Sequence, residues 1–211
     1  MNLLHICASA KPIDLSTSKQ LAAAFFVRLA ESNKEINVTN MDLYSNPPPY
    51  LNNDAYRYFW NPIQQPGYIP TSAEKHAASY ALAQTKVFEE TDALVLTMPL
   101  WNCGMPAIMK AWLDQVLVPG VVFKYEAGSI IPLHHIRKAV LLASSGDIVK
   151  EVDPQDQLVP HLNAILNSIG ITDLSIAWAD GQDPRHLDAE ERKATAIEAT
   201  QELADEVAEL A

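Results

Sequence analysis

Over residues 93–117 the chain passes from one regular pattern to another across an irregular interval, and few folds accommodate that passage. Ala93-Leu94-Val95-Leu96-Thr97-Met98 is a short apolar run without polar alternation, the pattern of a parallel strand buried on both faces. Pro99-Leu100-Trp101-Asn102-Cys103-Gly104-Met105 cannot continue it, and Pro106 has the fixed φ that suits the first turn of a helix. Ile108, Met109, Trp112, Leu113, Val116 and Leu117 then recur at helical spacing, with Lys110, Asp114 and Gln115 between them. Strand, loop and helix in this order put the loop beyond the carboxyl end of a strand, where open α/β sheets bind ligands. Spacing alone leaves Trp101 two roles, packing under the neighbouring helix or facing a ligand.

A second unit of this kind begins the chain. Leu3-Leu4-His5-Ile6-Cys7-Ala8 reads as a strand, and a helix is expected soon after it, with Thr17 three residues before Gln20 as in a capping box and with Leu21, Phe25 and Leu29 on one face. The open N–H groups and positive dipole end of such a helix suit a phosphate, and Ser9, Ser16, Thr17 and Ser18 add hydroxyls. Serines are also ordinary caps, so both readings stand. No G-x-G-x-x-G follows the strand and no G-x-x-x-x-G-K-[ST] occurs anywhere, which removes the dinucleotide and nucleoside-triphosphate fingerprints. Cys7-Ala8-Ser9-Ala10 also lacks the carboxylates of a phosphoacceptor receiver.

Further along, residues 36–41 alternate and predict a half-exposed strand at a sheet edge. Residues 139–143 form a fourth buried run that ends in the small-residue turn Ser144-Ser145-Gly146-Asp147, and residues 174–178 form the last strand. Helices are expected from a cap at Ser72 to about Thr91, over 158–168 and over 194–210. Strands alternating with helices imply parallel pairing in a three-layer α/β sheet of five strands, in the order 2-1-3-4-5.

Residues 46–71 interrupt this regularity. Pro47-Pro48-Pro49-Tyr50, a short helical Asp54-Ala55-Tyr56-Arg57-Tyr58-Phe59-Trp60, then Pro62, Pro66 and Pro70 are more than a connection needs. They read either as a satellite cluster or as a functional flap inserted in a single domain of residues 1–211.

The formal charge of −11, with a pI near 4.9, argues against nucleic acid or an anionic membrane as partner, because both demand a basic face. The ligand should be small. Two cysteines are too few for a disulfide framework, the N-terminus lacks a leader pattern, and the apolar runs fall short of the roughly 20 residues of a membrane span, so a cytoplasmic protein is expected. His134 and His135 lack a third ligand at metal spacing, so no metal site is expected.

P-L-W-N-x-G-x-P-A-x-x-K-A-W-L-D-Q-V over residues 99–116, followed by Gly120-Val121-Val122-Phe123-Lys124-Tyr125, resembles the signature of the FMN-dependent NADH:azoreductase and quinone-reductase family. That family usually has Tyr at position 101 and Phe at position 103. The resemblance implies a flavodoxin-like fold and FMN as cofactor. Family members hold the flavin phosphate with a Ser at the end of the first strand and a Ser-x-Ser at the helix start. Ser16, Thr17 and Ser18 match directly, and Ser9 matches with a loop one residue longer. Pro99, Leu100, Trp101, Asn102 and Cys103 would flank the ring, with Asn102 near N5 and with Trp101 and Phe123 as walls. Ser144, Ser145, Gly146 and Asp147 stand where relatives often have Ser-Arg-Gly-Gly and would meet the pyrimidine.

The resemblance further implies that NADH or NADPH gives two electrons, by a ping-pong scheme, to a quinone or azo compound in a homodimer whose flap covers the flavin. No residue is expected to serve as catalytic acid. A flavodoxin-like electron carrier for a protein partner is the alternative. Cys103 is expected to be a small buried hydrophobe rather than a reactive thiol, since nothing basic flanks it.

Overall fold

The protein is described by a computed structural model over residues 1–32, 34–149 and 156–211. The expected units form in order: β1 (Asn2–Cys7), α1 (Thr17–Glu31), β2 (Asn37–Asp42), α2 (Asn53–Gln64), α3 (Ser72–Ala77), α4 (Ser79–Glu89), β3 (Ala93–Pro99) and α5 (Ala107–Val116). A hairpin of β4 (Phe123–Glu126) and β5 (Ser129–Pro132) follows, then β6 (Lys138–Ser144), α6 (Leu158–Ser168), β7 (Leu174–Ala179) and α7 (Ala189–Glu209). The five-stranded sheet is parallel throughout, in the order β2-β1-β3-β6-β7. This corrects the expected 2-1-3-4-5. Residues 123–132 pair antiparallel with each other rather than crossing the sheet, so two strands intervene in the count.

Strand periodicity explains the layers. Side chains alternate between faces, so Leu4, Ile6, Leu94, Leu96, Met98, Leu141 and Ala143 enter one core with Phe59, Trp112, Leu113, Leu162 and Leu166. Leu3, Val95, Val140, Leu142 and Ala177 enter the other, with Phe25 and Leu29 of α1 and with Ala204 and Val207 of α7. Within the first core Phe88 and Trp112 stack with ring centroids 5.9 Å apart. Half of the edge strand β2 is exposed and none of it is fully buried, in line with the half-exposed strand expected.

Two caps differ from expectation. Ser16, not Thr17, caps α1, accepting from the Lys19 N–H at 3.3 Å. A short 3-10 turn, Ile13–Leu15, accounts for the shift, because its Ile13 carbonyl takes both the Ser16 N–H and the Gln20 side chain that a box from Thr17 would have used. Thr71, not Ser72, caps α3, in a reciprocal box with Glu74. Glu74 is buried, and Tyr68 and Arg57 satisfy its carboxylate at 2.6 and 2.9 Å. The single expected helix is two, meeting at fully buried Ala78.

A polar thread crosses the second core. His5 on β1 joins Asn40 of β2 through Nδ1 at 2.8 Å and Thr97 of β3 through Nε2 at 2.9 Å, beside the Phe26 ring. Burial pushes the imidazole pKa below its ordinary value of 6.5, outweighing the Asn40 bond and the Asp42 charge. The folded state therefore binds this proton less readily than the unfolded chain, and stability falls as pH drops through and below 6.5. A His5→Gln protein should lose less melting temperature than wild type between about pH 7 and about pH 5. Equal losses in thermal melts at the two pH values would remove His5 as a cause.

Candidate functional site

Parallel pairing delivers three chain exits to one edge. Cys7 lies opposite Thr97 and Pro99 opposite Ser144, and the ladder continues beyond the strands through Ala8 N–H to Thr97 O at 2.8 Å and Leu100 N–H to Ser144 O at 2.7 Å. Two cavities open there. One, of about 360 Å³, is lined by residues that include Ser9, Ser16, Thr17, Ser18, Pro99, Leu100, Trp101, Ser144, Ser145 and Gly146. The other, of about 240 Å³, includes Asn102, Cys103 and Asp147, and shares Leu100, Ser145 and Gly146 with the first. Every cofactor-binding residue expected from the sequence lines one or both.

Hydroxyls dominate the first wall. Ser9 Oγ lies 2.7 Å from Ser16 Oγ, which lies 3.4 Å from Ser18 Oγ, and all three serines are buried. Ser9, dependent on a longer loop, is thus brought to the cluster. The group sits at the start of α1, where the first N–H groups lack intrahelical partners and the dipole is positive, and Lys11 stands on the rim. The chemistry of these donors suits a phosphate monoester.

The second wall is a tight turn. Trp101 and Gly104 exchange both backbone hydrogen bonds, at 2.9 and 3.0 Å, with Asn102 at φ 48° and Cys103 at φ 66° between them. Two successive left-handed residues define a primed turn, for which Asn-Gly is the favoured pair. Here Cys103 occupies the second position, while Gly104 has open space around the place of a Cβ. Gln157 N–H anchors the turn by donating to Cys103 O at 2.8 Å. Cys103 is exposed, against the expectation of burial: it sits at the second left-handed position of the turn and lines the smaller cavity. Trp101 is 40% exposed and lines the larger cavity, so it is not buried under the neighbouring helix.

The third wall binds itself. Ser145 Oγ donates to Asp147 O at 2.8 Å and accepts from Trp178 Nε1 at 3.0 Å, so its side chain is occupied within the turn. Its backbone is tied to Ala179 and Gln182, and Gly146 O accepts from Asp183 N. A Cβ on Gly146 would meet only ordinary contact, with Asp183 at 3.7 Å.

Some expectations do not reach the cavities. Phe123 is buried in the first core, edge-on to Tyr125, in a β4 that pairs with β5, and it lines neither cavity. No residue of 46–71 lines them either. That segment packs Phe59 into the core and bounds a separate apolar cleft with Leu82, Pro119 and Tyr125. His134 and His135 bond Ile169 O and Asp92. Among the described residues no cluster with metal-ligand character occurs, and no helix is long and apolar enough to cross a membrane.

Sequence reasoning missed Gln182, Asp183 and Pro184, which complete the larger cavity. Thr17 Oγ1 meets Gln182 Oε1 at 3.4 Å, closing this loop over the start of α1. Gly181-Gln182-Asp183-Pro184 is turn chemistry at the carboxyl end of the last strand, and that position was the available signal.

A cradle of hydroxyls at the first helix start, beneath loops from the sheet's carboxyl edge, defines a flavodoxin-like protein, and the family described as having a flavodoxin-like fold matches residues 1–204. An FMN-dependent NADH:quinone oxidoreductase of Beijerinckia indica is 31% identical over 170 residues, covering 80% of this chain and 82% of its own. Its counterpart in Azotobacter vinelandii is 34% identical over 166 residues, covering 79% and 81%. The crystal structure of azoreductase AzrA superposes with a TM-score of 0.87 at 24% identity, over 98% of this chain and 100% of that one. An FMN-dependent NADH-azoreductase from Bacillus anthracis, solved in complex with FMN, gives 0.84 at 23% over 99% and 100%. The chain belongs to the flavodoxin-like family, in the group whose curated members are named FMN-dependent NADH:quinone oxidoreductases.

The left-handed Cys103 makes a separable prediction. Cys103→Val should destabilise the fold by about 1–2 kcal/mol, since a branched side chain opposes positive φ, whereas Cys103→Gly should not. Urea midpoints that rank the two variants the other way would contradict this turn geometry.

Proposed function

We propose that the chain is an FMN-dependent oxidoreductase that passes two electrons from NADH or NADPH to a quinone or azo acceptor, the donor and acceptor using one face in turn. The observation that carries this reading is the continuity of the Ser9, Ser16 and Ser18 cradle with the Trp101 to Gly104 turn through shared residues of two adjoining cavities. The names of the curated relatives and the FMN complex of a structural neighbour support it.

FMN, when bound, supplies the hydride-accepting and hydride-donating chemistry. The chain's residues bind, orient and shield. Ser9, Ser16, Thr17 and Ser18 take the phosphate, with Lys11 adding charge. Pro99, Leu100 and Trp101 present an apolar and aromatic flank to the ring. Asn102, Cys103 and their backbone N–H groups, which the Trp101–Gly104 pair leaves unused, lie at its edge, and residues 144–147 border the pyrimidine. No side chain is assigned as catalytic. Residues 46–71 form a flap on a single domain and, with exposed Tyr50 and Ile69, meet the second subunit of a homodimer. A cytoplasmic site of action goes with this reading.

Purified protein should take up FMN and oxidise NADH with benzoquinone in the steady state, whereas an inert holoprotein would favour an electron carrier. Ser16→Ala should raise the FMN dissociation constant roughly tenfold or more, since a hydrogen bond to a charged group is lost. The same change removes the α1 cap, so the titration belongs well below the melting temperature. Unchanged affinity in that titration would move the phosphate elsewhere.

A further inference from the structure

The walls of the two cavities hold more negative charge than an anion site would choose. Asp183 lines the larger, and Asp147 and Asp156 line the smaller, in a chain of formal charge −11. FMN brings a phosphate, and two-electron reduction adds negative charge to its ring. Uncompensated carboxylates on this rim would oppose both.

One side chain stands between two of them. Arg185 Nε donates to Asp183 Oδ1 at 2.7 Å and its Nη2 donates to Asp147 Oδ1 at 3.0 Å. The Arg185 backbone N–H also donates to Asp183 Oδ1, at 3.0 Å, so the turn that carries the guanidinium is closed by the carboxylate it neutralises. Asp147 follows β6 and Asp183 follows β7, so the guanidinium spans the exits of two strands. Other nearby basic groups are placed differently: Lys11 stands on the rim of the larger cavity. Arg192 is shared by Asp180 and Asp188, and His186 Nε2 lies 3.7 Å from Asp147, beyond hydrogen-bond reach.

We propose that Arg185 is a positioning residue for the cofactor: by bridging Asp147 and Asp183 it removes one negative charge from the rim and raises the affinity of the cavities for FMN, most of all for its reduced form. This rests on the function proposed above. An isolated surface ion pair would contribute little. Here the carboxylates remain on the cavity wall when the arginine is lost, so the effect falls on the ligand rather than on the fold. With one guanidinium against two carboxylates the cluster carries one net negative charge, and without Arg185 it carries two.

The test is a fluorescence titration of apo-protein with FMN, combined with the midpoint potential of the holoprotein. Arg185→Gln should weaken oxidised FMN a few-fold and reduced FMN by about tenfold more, which lowers the two-electron potential by about 30 mV. Adding Asp147→Asn should restore most of both, and the melting temperature should change little in either variant. Wild-type protein that binds no FMN would end the functional reading itself. Wild type that binds while Arg185→Gln matches it in affinity and potential would overturn the role of Arg185 alone, as would losses that Asp147→Asn leaves uncorrected.

Discussion

The parallel register of β3 between β1 and β6 is the constraint from which the site follows. Thr97 lies opposite Cys7 and Leu142, and Pro99 lies opposite Ser144, so three chain exits emerge at nearly one height. Pro99 has no N–H to continue the ladder. Leu100 does so in its place, donating to Ser144 O at 2.7 Å, and this short bond fixes the spacing between the Trp101 turn and the Ser144 turn. A slip of one residue would exchange the two faces of β3 and bury Leu94, Leu96 and Met98 on the wrong side. The core therefore enforces the alignment on which the cavities depend.

What the exits present differs in kind. The first offers hydroxyls and a helix dipole, groups that suit an anion through hydrogen bonds and partial charges without placing a full charge in the interior. The second offers a turn with two left-handed non-glycine residues, a strained arrangement of the sort that concentrates at functional sites. The third is tied to β7 and its following loop by backbone bonds, with Trp178 and Asp147 occupying the Ser145 hydroxyl. Each wall is held by a different set of hydrogen bonds, and no residue of 46–71 lines the cavities.

Pairing with arginine answers part of the chain's acidity, on the rim and away from it. Glu74 is buried against Arg57 and Tyr68, Asp180 and Asp188 share Arg192, and Asp147 and Asp183 share Arg185. Hydrogen bonds from Arg185 hold the Asp183 carboxyl below its ordinary range, and those from Arg192 do the same for Asp188. An acidic composition and a hydroxyl-lined cavity coexist with the Asp147 and Asp183 carboxylates paired to Arg185.

The sequence by itself determined the alternation of strands and helices, the parallel sheet and the residues at the three carboxyl-edge exits. Those properties reside in local pattern: unbroken apolar runs at residues 93–98 and 139–143, helical spacing after Pro106, and turn residues between them. Only the tertiary structure decided that Ser16 rather than Thr17 caps α1, that residues 123–132 fold back as a hairpin, that Phe123 is buried in the core, and that Cys103 is exposed. It alone brought Gln182 to Arg185 against the first and third exits. Caps, hairpins and loop closures are chosen among local alternatives of similar free energy, and contacts made far along the chain, such as Thr17 to Gln182 or Arg185 to Asp147, are not written in any window of neighbouring residues.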